Sequence, residues 1–471
     1  LKSHAFLQSL DGFSFYLLAI LLIWVPIPIG SNPNWSIGIL TILSIFVFIL
    51  TYGSALLNNR SFGVIKHSLL AASLLFGFLL LTVIQYLYGY NPEAVFLSLD
   101  KYATKVQILL TVSYILIFLS TILSCSSTGR VKRLCWIIVL SGALQSLIAI
   151  ILFSSQAKYQ IFFLELDHST RAKGTFSYHN SFAGYMEMCI AVGLGMLIGS
   201  YKTQSKVAKV GNNIYSILDF ILSSKIILRL LVILMVIGLV LTRSRMGNAG
   251  LMIALLISLL VGLYYLKEER KYLSILLLSV FIIDSVVIGQ WVGIDKVIAR
   301  LESTDVTKQE LVKNDVKQPN NKLKKREESV EQRSEPAYNT IEMIKERPWF
   351  GFGAGTFYTA YPPYKNPSVK GYYEHAHNDY LEIASDSGLV GAFLLFGFGF
   401  LCLVRSVKLL SSDLTEYKGV GFSAVISLFA IAIHSLVDFN LHIPANVTTL
   451  MVICALPYAC GYIASKRSDK S

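Results

Sequence analysis

The sequence predicts an all-α polytopic membrane protein with about twelve transmembrane helices. Three observations carry that prediction. Hydrophobic residues make up 54% of the 471 and charged residues 15%, where an average soluble domain carries roughly 25% charged. Apolar runs long enough for the ~20 residues of a helical crossing recur along the whole chain. Between them, basic residues fall in short clusters on alternate loops, as in a chain oriented by cytoplasmic positive charge. Length does not count domains in such a chain, because a membrane bundle is one unit.

The apolar spans lie near 13–29, 36–57, 67–88, 107–124, 134–153, 181–200, 226–242, 247–266, 272–292, 388–407, 420–437 and 445–463. Six basic segments share one side: Arg60 with Lys66, the Arg130, Lys132 and Arg133 loop, the Lys202, Lys206 and Lys209 loop, Lys267 with Arg270 and Lys271, Arg405 with Lys408, and the Lys466, Arg467 tail. That side reads as cytoplasmic, with both termini on it. No signal peptide with a small-residue cleavage site is visible, so the first apolar run is expected to be retained.

The opposite side receives the 30–35 turn, the 89–106 and 154–180 loops, the tight turn after the seventh span, a large loop over 293–387, and the 438–445 turn. In a bacterial inner membrane that side is the periplasm. On the cytoplasmic side, IYSILDFILSSKI in the 201–225 connection is apolar enough for a short interfacial helix.

The large loop is heterogeneous. Residues 303–334 are dominated by Lys, Glu, Gln, Asn and Asp, and are expected to stay disordered because they cannot bury enough apolar surface to fold. From Pro336 a helix is expected, with apolar positions at Tyr338, Ile341 and Ile344, stopped by Pro348. Gly351-Phe-Gly-Ala-Gly355 has no strand–helix frame and no GK[ST] after it, so it reads as a turn for close backbone packing, not a nucleotide loop. Tyr361-Pro-Pro-Tyr364 is a second rigid turn, and 379–387 is helical in pattern and leads into the tenth span.

Composition excludes some functions. The net charge of +12 sits between apolar spans, which argues against a nucleic-acid partner. The six cysteines form no CxxC pair, so neither a disulfide framework nor a zinc site is expected. No cofactor is expected either.

The densest group of titratable residues is Tyr372–Gly391, at the mouth of the tenth span. His377 is the candidate proton acceptor, with Asn378 beside it to orient an imidazole. His375 is placed in a supporting role. A two-histidine metal site lacks a third ligand at short range, so no metal is expected.

Arg171 and Lys173 precede the sixth span, and Arg243 and Arg245 fill the turn between the seventh and eighth. All four lie on the side where positive charge is disfavoured, a placement that needs a functional reason. A lipid pyrophosphate at the membrane boundary would supply one, because guanidinium forks match phosphate oxygens. Glu187 and Asp284 fall within spans and are functional candidates by the same cost argument. Glu187 is in reach of Arg171, Arg243 or Arg245, whereas Asp284 has no evident partner. His434 and Asp438, four apart, read as a structural hydrogen bond on one helix face.

These residues carry a resemblance. O-antigen ligases have a histidine, then Asn, Ser or Gln, nine residues, Gly, two residues and a small residue or Tyr. Here the pattern is met by His377, Asn378, residues 379–387, Gly388 and Gly391. RAKGTFSYHNSF (171–182), TRSRMG (242–247), RPWFGFGAGTF (347–357) and HSLVDFNLHIPAN (434–446) are similar to the same family. The chain thus resembles the O-antigen ligase and O-antigen polymerase superfamily of bacterial membrane glycosyltransferases over roughly 160–450. The first five spans match it only in hydropathy. Met246 between Arg245 and Gly247 departs from the family pattern and leaves Arg243 as an alternative to Arg245.

The resemblance implies a C-type glycosyltransferase bundle capped by a periplasmic loop region, with an undecaprenyl-pyrophosphate-linked glycan as donor. It implies metal-independent, inverting transfer in which His377 activates or steers the acceptor hydroxyl. Arg171 and Arg245 would bind the donor pyrophosphate, with Arg243, Lys173, Asn378 and Glu187 in the binding set. The acceptor would be lipid A core for a ligase, another lipid-linked repeat for a polymerase, or a pilin hydroxyl for a protein oligosaccharyltransferase. A polysaccharide transporter would instead need charges and broken helices at mid-membrane, where only Asp284 lies. The chain divides into N-terminal spans (1–160), spans bearing the arginines (161–292), the large loop (293–387) and C-terminal spans with the tail (388–471).

Overall fold

The computed structural model describes residues 2–58, 63, 65–89, 95–155, 159–161, 164–166, 171–201, 223–292, 330–366 and 372–468, with only the backbone at 2–8, 159–161, 164–166, 283–292, 330–334 and 468. The predicted interfacial helix before residue 223 and the charged stretch up to residue 329 lie outside the described residues.

The chain is a helical membrane bundle. In order it forms α1 (Lys2–Trp24), α2 (Asn34–Leu57), α3 (Leu69–Tyr88), α4 (Lys101–Ser124), α5 (Thr128–Ser155), α6 (His179–Gly199), α7 (Ser224–Leu241), α8 (Arg245–Tyr265), α9 (Arg270–Val292), α10 (Val330–Glu346), α11 (Asp379–Leu409), α12 (Thr415–His434) and α13 (Pro444–Ser468). Each of the twelve predicted spans falls on one of these helices. Ten helices among the described residues are long and apolar enough to cross a membrane, and α1 adds a shorter apolar helix, Ser9–Trp24. One hairpin, β1 (Tyr159–Ile161) against β2 (Leu164–Leu166), is the addition to an otherwise all-α expectation.

Helix α6 is the axis of the bundle. Nearly every residue from Asn180 to Gly199 is buried, on all sides of the helix. A helix apolar all round belongs in the interior. Lipid supplies no hydrophobic force between helices, so close approach of backbones has to hold them together. Glycines provide it here. A Cβ on Gly195 would sit 1.9 Å from Ser423 Oγ and 2.3 Å from the Gly419 carbonyl on α12. Gly195→Ala is therefore expected to destabilise the bundle by about 1–3 kcal/mol through overpacking. The check is the thermal unfolding midpoint of the detergent-purified protein, and an unshifted midpoint would refute the tight α6–α12 contact.

The two ends of the bundle differ in chemistry. At one end lie the basic loops, with Arg130 paired to Asp11 at 3.0 Å and Lys418 to Glu269 at 3.2 Å. At the other end three helices begin on side-chain caps. Asp100 Oδ1 accepts from the Tyr102 and Ala103 amides at 2.9 and 3.0 Å, Ser244 Oγ from the Gly247 amide at 3.1 Å, and Asn378 Oδ1 from the Leu381 amide at 3.1 Å. Such caps satisfy amides that a helix leaves open, at a depth where water is scarce.

α10 starts at Val330, six residues before the expected Pro336 and inside the stretch expected to be disordered, and it turns a different face inward. Pro336, Thr340 and Met343 are buried, whereas Tyr338 is 69% and Ile341 39% exposed. The expected apolar stripe through Tyr338 and Ile341 is thus corrected: the helix packs on Phe352, Phe357 and Tyr361 of the following segment, which a local pattern does not reveal.

Candidate functional site

The site is built on a broken helix. At Gly388 the α11 backbone takes φ 68°, ψ −179°, so a short segment (379–387) ends there and the long apolar segment begins. Breaking a helix frees carbonyls and amides that must find partners. The 347–355 segment provides them. Phe352 and Gly353 amides donate to the Ser385 and Asp386 carbonyls at 3.0 and 2.8 Å, and the Leu389 and Val390 amides donate to Pro348 and Trp349 carbonyls at 2.7 and 3.2 Å. Gln85 of α3 locks the joint, donating to the Phe350 carbonyl at 2.7 Å and accepting from the Ala354 amide at 3.1 Å. The glycine-rich run is a backbone latch, as its composition predicts. A Cβ on Gly351 would lie 2.4 Å from the Ser385 carbonyl.

The short segment carries the carboxylates inward. Asp379, Glu382 and Asp386 are all buried. Glu382 Oε1 lies 2.8 Å from His375 Nδ1, and its other oxygen accepts from the Ala376 amide at 2.7 Å. Asp379 Oδ1 lies 2.8 Å from His442 Nδ1, while Asp386 Oδ2 accepts from the Gly355 amide at 2.8 Å. His442 also brings Nε2 to 3.3 Å from Glu382. Burial by itself would lower the His442 imidazole pKa; the Glu382 and Asp379 carboxylates outweigh it and hold it up at about 10.

Phe439 organises the histidines. His375 stacks on its ring at 4.2 Å, and His377 meets it edge-on at 5.3 Å. His377 takes φ 52°, a left-handed backbone that only strong surroundings maintain for a non-glycine residue. Asn378 is occupied by the fold: beyond its cap, Nδ2 donates to the Leu436 carbonyl at 2.8 Å.

The same aromatic ring leads to the arginines. Tyr178 stacks on Phe439 at 5.6 Å, its ring lies 4.5 Å from His179, and His179 Nε2 is 2.7 Å from Arg171 Nη1. The Ala172 amide then donates to the Leu241 carbonyl at 2.9 Å, which ties the Arg171 segment to the α7–α8 turn. In that turn Arg243 takes φ 53° and lies 5.9 Å from the Phe153 ring, and Arg243 and Arg245 are both exposed. Lys173 is half-buried on the loop whose next residue, Gly174, turns with φ 54°. Thus residues from three separate spans meet at one end of the bundle, and Arg171 joins His377 through an unbroken row of rings.

Glu187 sits elsewhere. It is fully buried on α6, with Oε1 2.8 Å from His434 Nδ1. The two atoms meet without the alignment of a hydrogen bond. The expected pairing of Glu187 with an arginine is thus replaced by His434. Asp438 lies past the end of α12, 4.0 Å from His434, and binds the Asn180 amide side chain and the Phe439 amide instead. The expected His434–Asp438 bond on one helix face is corrected accordingly. The side chain of Asp284 lies outside the described residues.

Sequence reasoning missed Phe439 and His442, and gave Glu382 no specific role. Their signal was weak. HSLVDFNLHIPAN is a polar break between two apolar spans on the same side as His377, and it is there that a distant ligand to His375 would be sought.

Residues 230–396 match the family described as O-Antigen ligase (Wzy_C). The match spans Arg243, Arg245, His375 and His377 through Gly391, and leaves Arg171 and the 434–446 turn outside it. No curated protein matches the chain. The broken helix, the histidine loop and the arginine turn therefore sit within a region that matches the O-antigen ligase family, in a chain with ten membrane-length apolar helices among its described residues.

Proposed function

We propose that the protein is a glycosyltransferase of the O-antigen ligase type, moving a glycan from undecaprenyl pyrophosphate to an acceptor hydroxyl on the periplasmic face of a bacterial inner membrane. The row from Arg171 through His179, Tyr178 and Phe439 to His377 carries this reading. It sets a cation for a leaving pyrophosphate and a base for an incoming hydroxyl at one end of one bundle. A cavity of about 310 Å³ below Asp386 and His442 supports it, running between apolar residues such as Phe398 and Met451 and suited to part of a lipid chain.

In this reading the acceptor hydroxyl gives its proton to His377 as its oxygen attacks the anomeric carbon from the face opposite the leaving group. The carbon–oxygen bond to the pyrophosphate breaks with inversion, and Arg171 and Arg245, with Arg243 and Lys173 nearby, neutralise the charge that develops. No step passes through a metal. Asn378 holds the loop that presents His377, and Glu187 sets the position of α6 against α12 from beneath the site.

Mass spectrometry of surface glycolipids and lipid-linked intermediates from a deletion strain tests the proposal. Uncapped lipid A core identifies a ligase, single-repeat glycans a polymerase, and unmodified pilin a protein oligosaccharyltransferase. Complementation with Arg171→Ala or Arg245→Ala is expected to restore transfer only partly, with donor use weakened roughly 10- to 100-fold by loss of a charge-assisted contact. A deletion that leaves every glycan unchanged would end the proposal.

A further inference from the structure

His375, Glu382 and His442 come from three stretches: the loop before α11, the first turn of α11, and the turn between α12 and α13. One donor atom from each lies within 4.8 Å of the other two. His375 Nδ1 is 2.8 Å and His442 Nε2 3.3 Å from the same Glu382 oxygen. Two ligands about 2.1 Å from one zinc-like ion keep roughly 3–3.5 Å between them, so the 3.3 Å separation already fits an ion and the 2.8 Å one needs to open by only a few tenths of an ångström.

The groups behind the trio are those a metal site requires. Metal-bound imidazoles almost always give their second N–H to a carboxylate or carbonyl, which fixes the ring and its tautomer. His442 has Asp379 at 2.8 Å on its Nδ1, and Asp379 is itself held by the Leu441 amide at 3.0 Å. Glu382 keeps its second oxygen on the Ala376 amide, and the His375 ring is fixed by stacking on Phe439. Charge points the same way. Asp379, Glu382 and Asp386 are buried within one short segment, and Asp386 Oδ1 has no hydrogen-bond partner among the described residues. Buried carboxyls of this kind are neutralised by a cation or a proton.

We propose that His375, Glu382 and His442 form a binding site for a divalent metal ion of the zinc class, which clamps the histidine loop to α11 and to the 440–442 turn. Two imidazoles and one carboxylate suit Zn²⁺ or Co²⁺ better than a hard oxygen-seeking ion. The ion takes the place of the proton between His442 Nε2 and Glu382. By holding His375 it fixes the loop two residues before His377, where the backbone is left-handed. It touches no reacting atom in the proposed transfer, and the inference does not depend on that reading.

The test uses the full chain, purified in detergent and stripped with a chelator, titrated with Co²⁺. One equivalent is expected to bind, to give the visible bands of a low-symmetry site, and to be displaced by Zn²⁺. X-ray absorption of the Zn²⁺ form should show two imidazoles. His375→Ala and Glu382→Gln should each weaken binding about 100-fold or more, as a ligand matters at least as much as its outer partners. His67→Ala, at the opposite end of the bundle, should leave binding unchanged. If Glu382→Gln does not fold, the wild-type stoichiometry and absorption spectrum decide alone. A wild-type chain that retains no Co²⁺ or Zn²⁺, or equal binding by His375→Ala, overturns the proposal and leaves the trio as a metal-free ion-pair cluster.

Discussion

His377→Ala is expected to lower glycan transfer by about 10²–10⁴-fold, the range that a positioned general base contributes, while donor lipid still binds. The separation follows from where the groups sit. The cations at the site lie on the loop before α6 and in the α7–α8 turn, on elements other than the loop that carries His377. Removing the imidazole is therefore expected to take away the proposed proton acceptor and to leave the proposed pyrophosphate contacts. Alanine also carries a backbone cost, since φ 52° disfavours residues with a plain Cβ. His377→Asn controls for this, because asparagine tolerates the left-handed region and offers no base. Both variants should fail in transfer with membranes of the deletion strain as the source of donor and acceptor. Both should also retain co-purifying donor lipid by mass spectrometry. Full activity of purified His377→Ala would remove the histidine from the mechanism.

Much of the architecture was legible in the sequence, and the reason is physical. A membrane span is a local property of about 20 residues, so the predicted spans land on helices with ends displaced by a few residues. The tight α7–α8 turn and the glycine-rich latch were legible for the same reason: short segments whose composition fixes their form. What stayed hidden depends on partners far along the chain. Glu187 meets His434 across almost 250 positions, and His375 shares Glu382 with His442 from another turn. The α10 face was misread because the segment that buries it is a loop rather than a periodic element. Gly388 is an intermediate case. Its place in a motif was visible, but its purpose rests on a pair of backbone angles.

Those angles make Gly388→Ala the substitution with the largest expected effect on stability. At φ 68°, ψ −179° the backbone is in a region reserved almost wholly for glycine, and another residue pays about 1–3 kcal/mol there. Space is the second obstacle. A Cβ would lie 2.1 Å from the Trp349 carbonyl oxygen and 2.3 Å from the Phe350 nitrogen. Both atoms are backbone, held by the four hydrogen bonds that pair 348–353 with 385–390. They can yield only by opening those bonds, each worth roughly 0.5–1.5 kcal/mol net. The combined loss is expected to exceed about 4 kcal/mol, in the exceptional range for a single substitution. Gly399→Ala is the matched control, eleven residues further along the same helix, where a Cβ meets nothing within 4 Å. There alanine should be neutral or stabilising by up to about 1 kcal/mol. Thermal unfolding in detergent measures both, and a Gly388→Ala midpoint close to that of Gly399→Ala would refute the broken helix. The same break aims Asp386 and Glu382 inward and the histidine loop toward Phe439. A surviving fraction of Gly388→Ala protein should therefore lose transfer activity even where it remains folded.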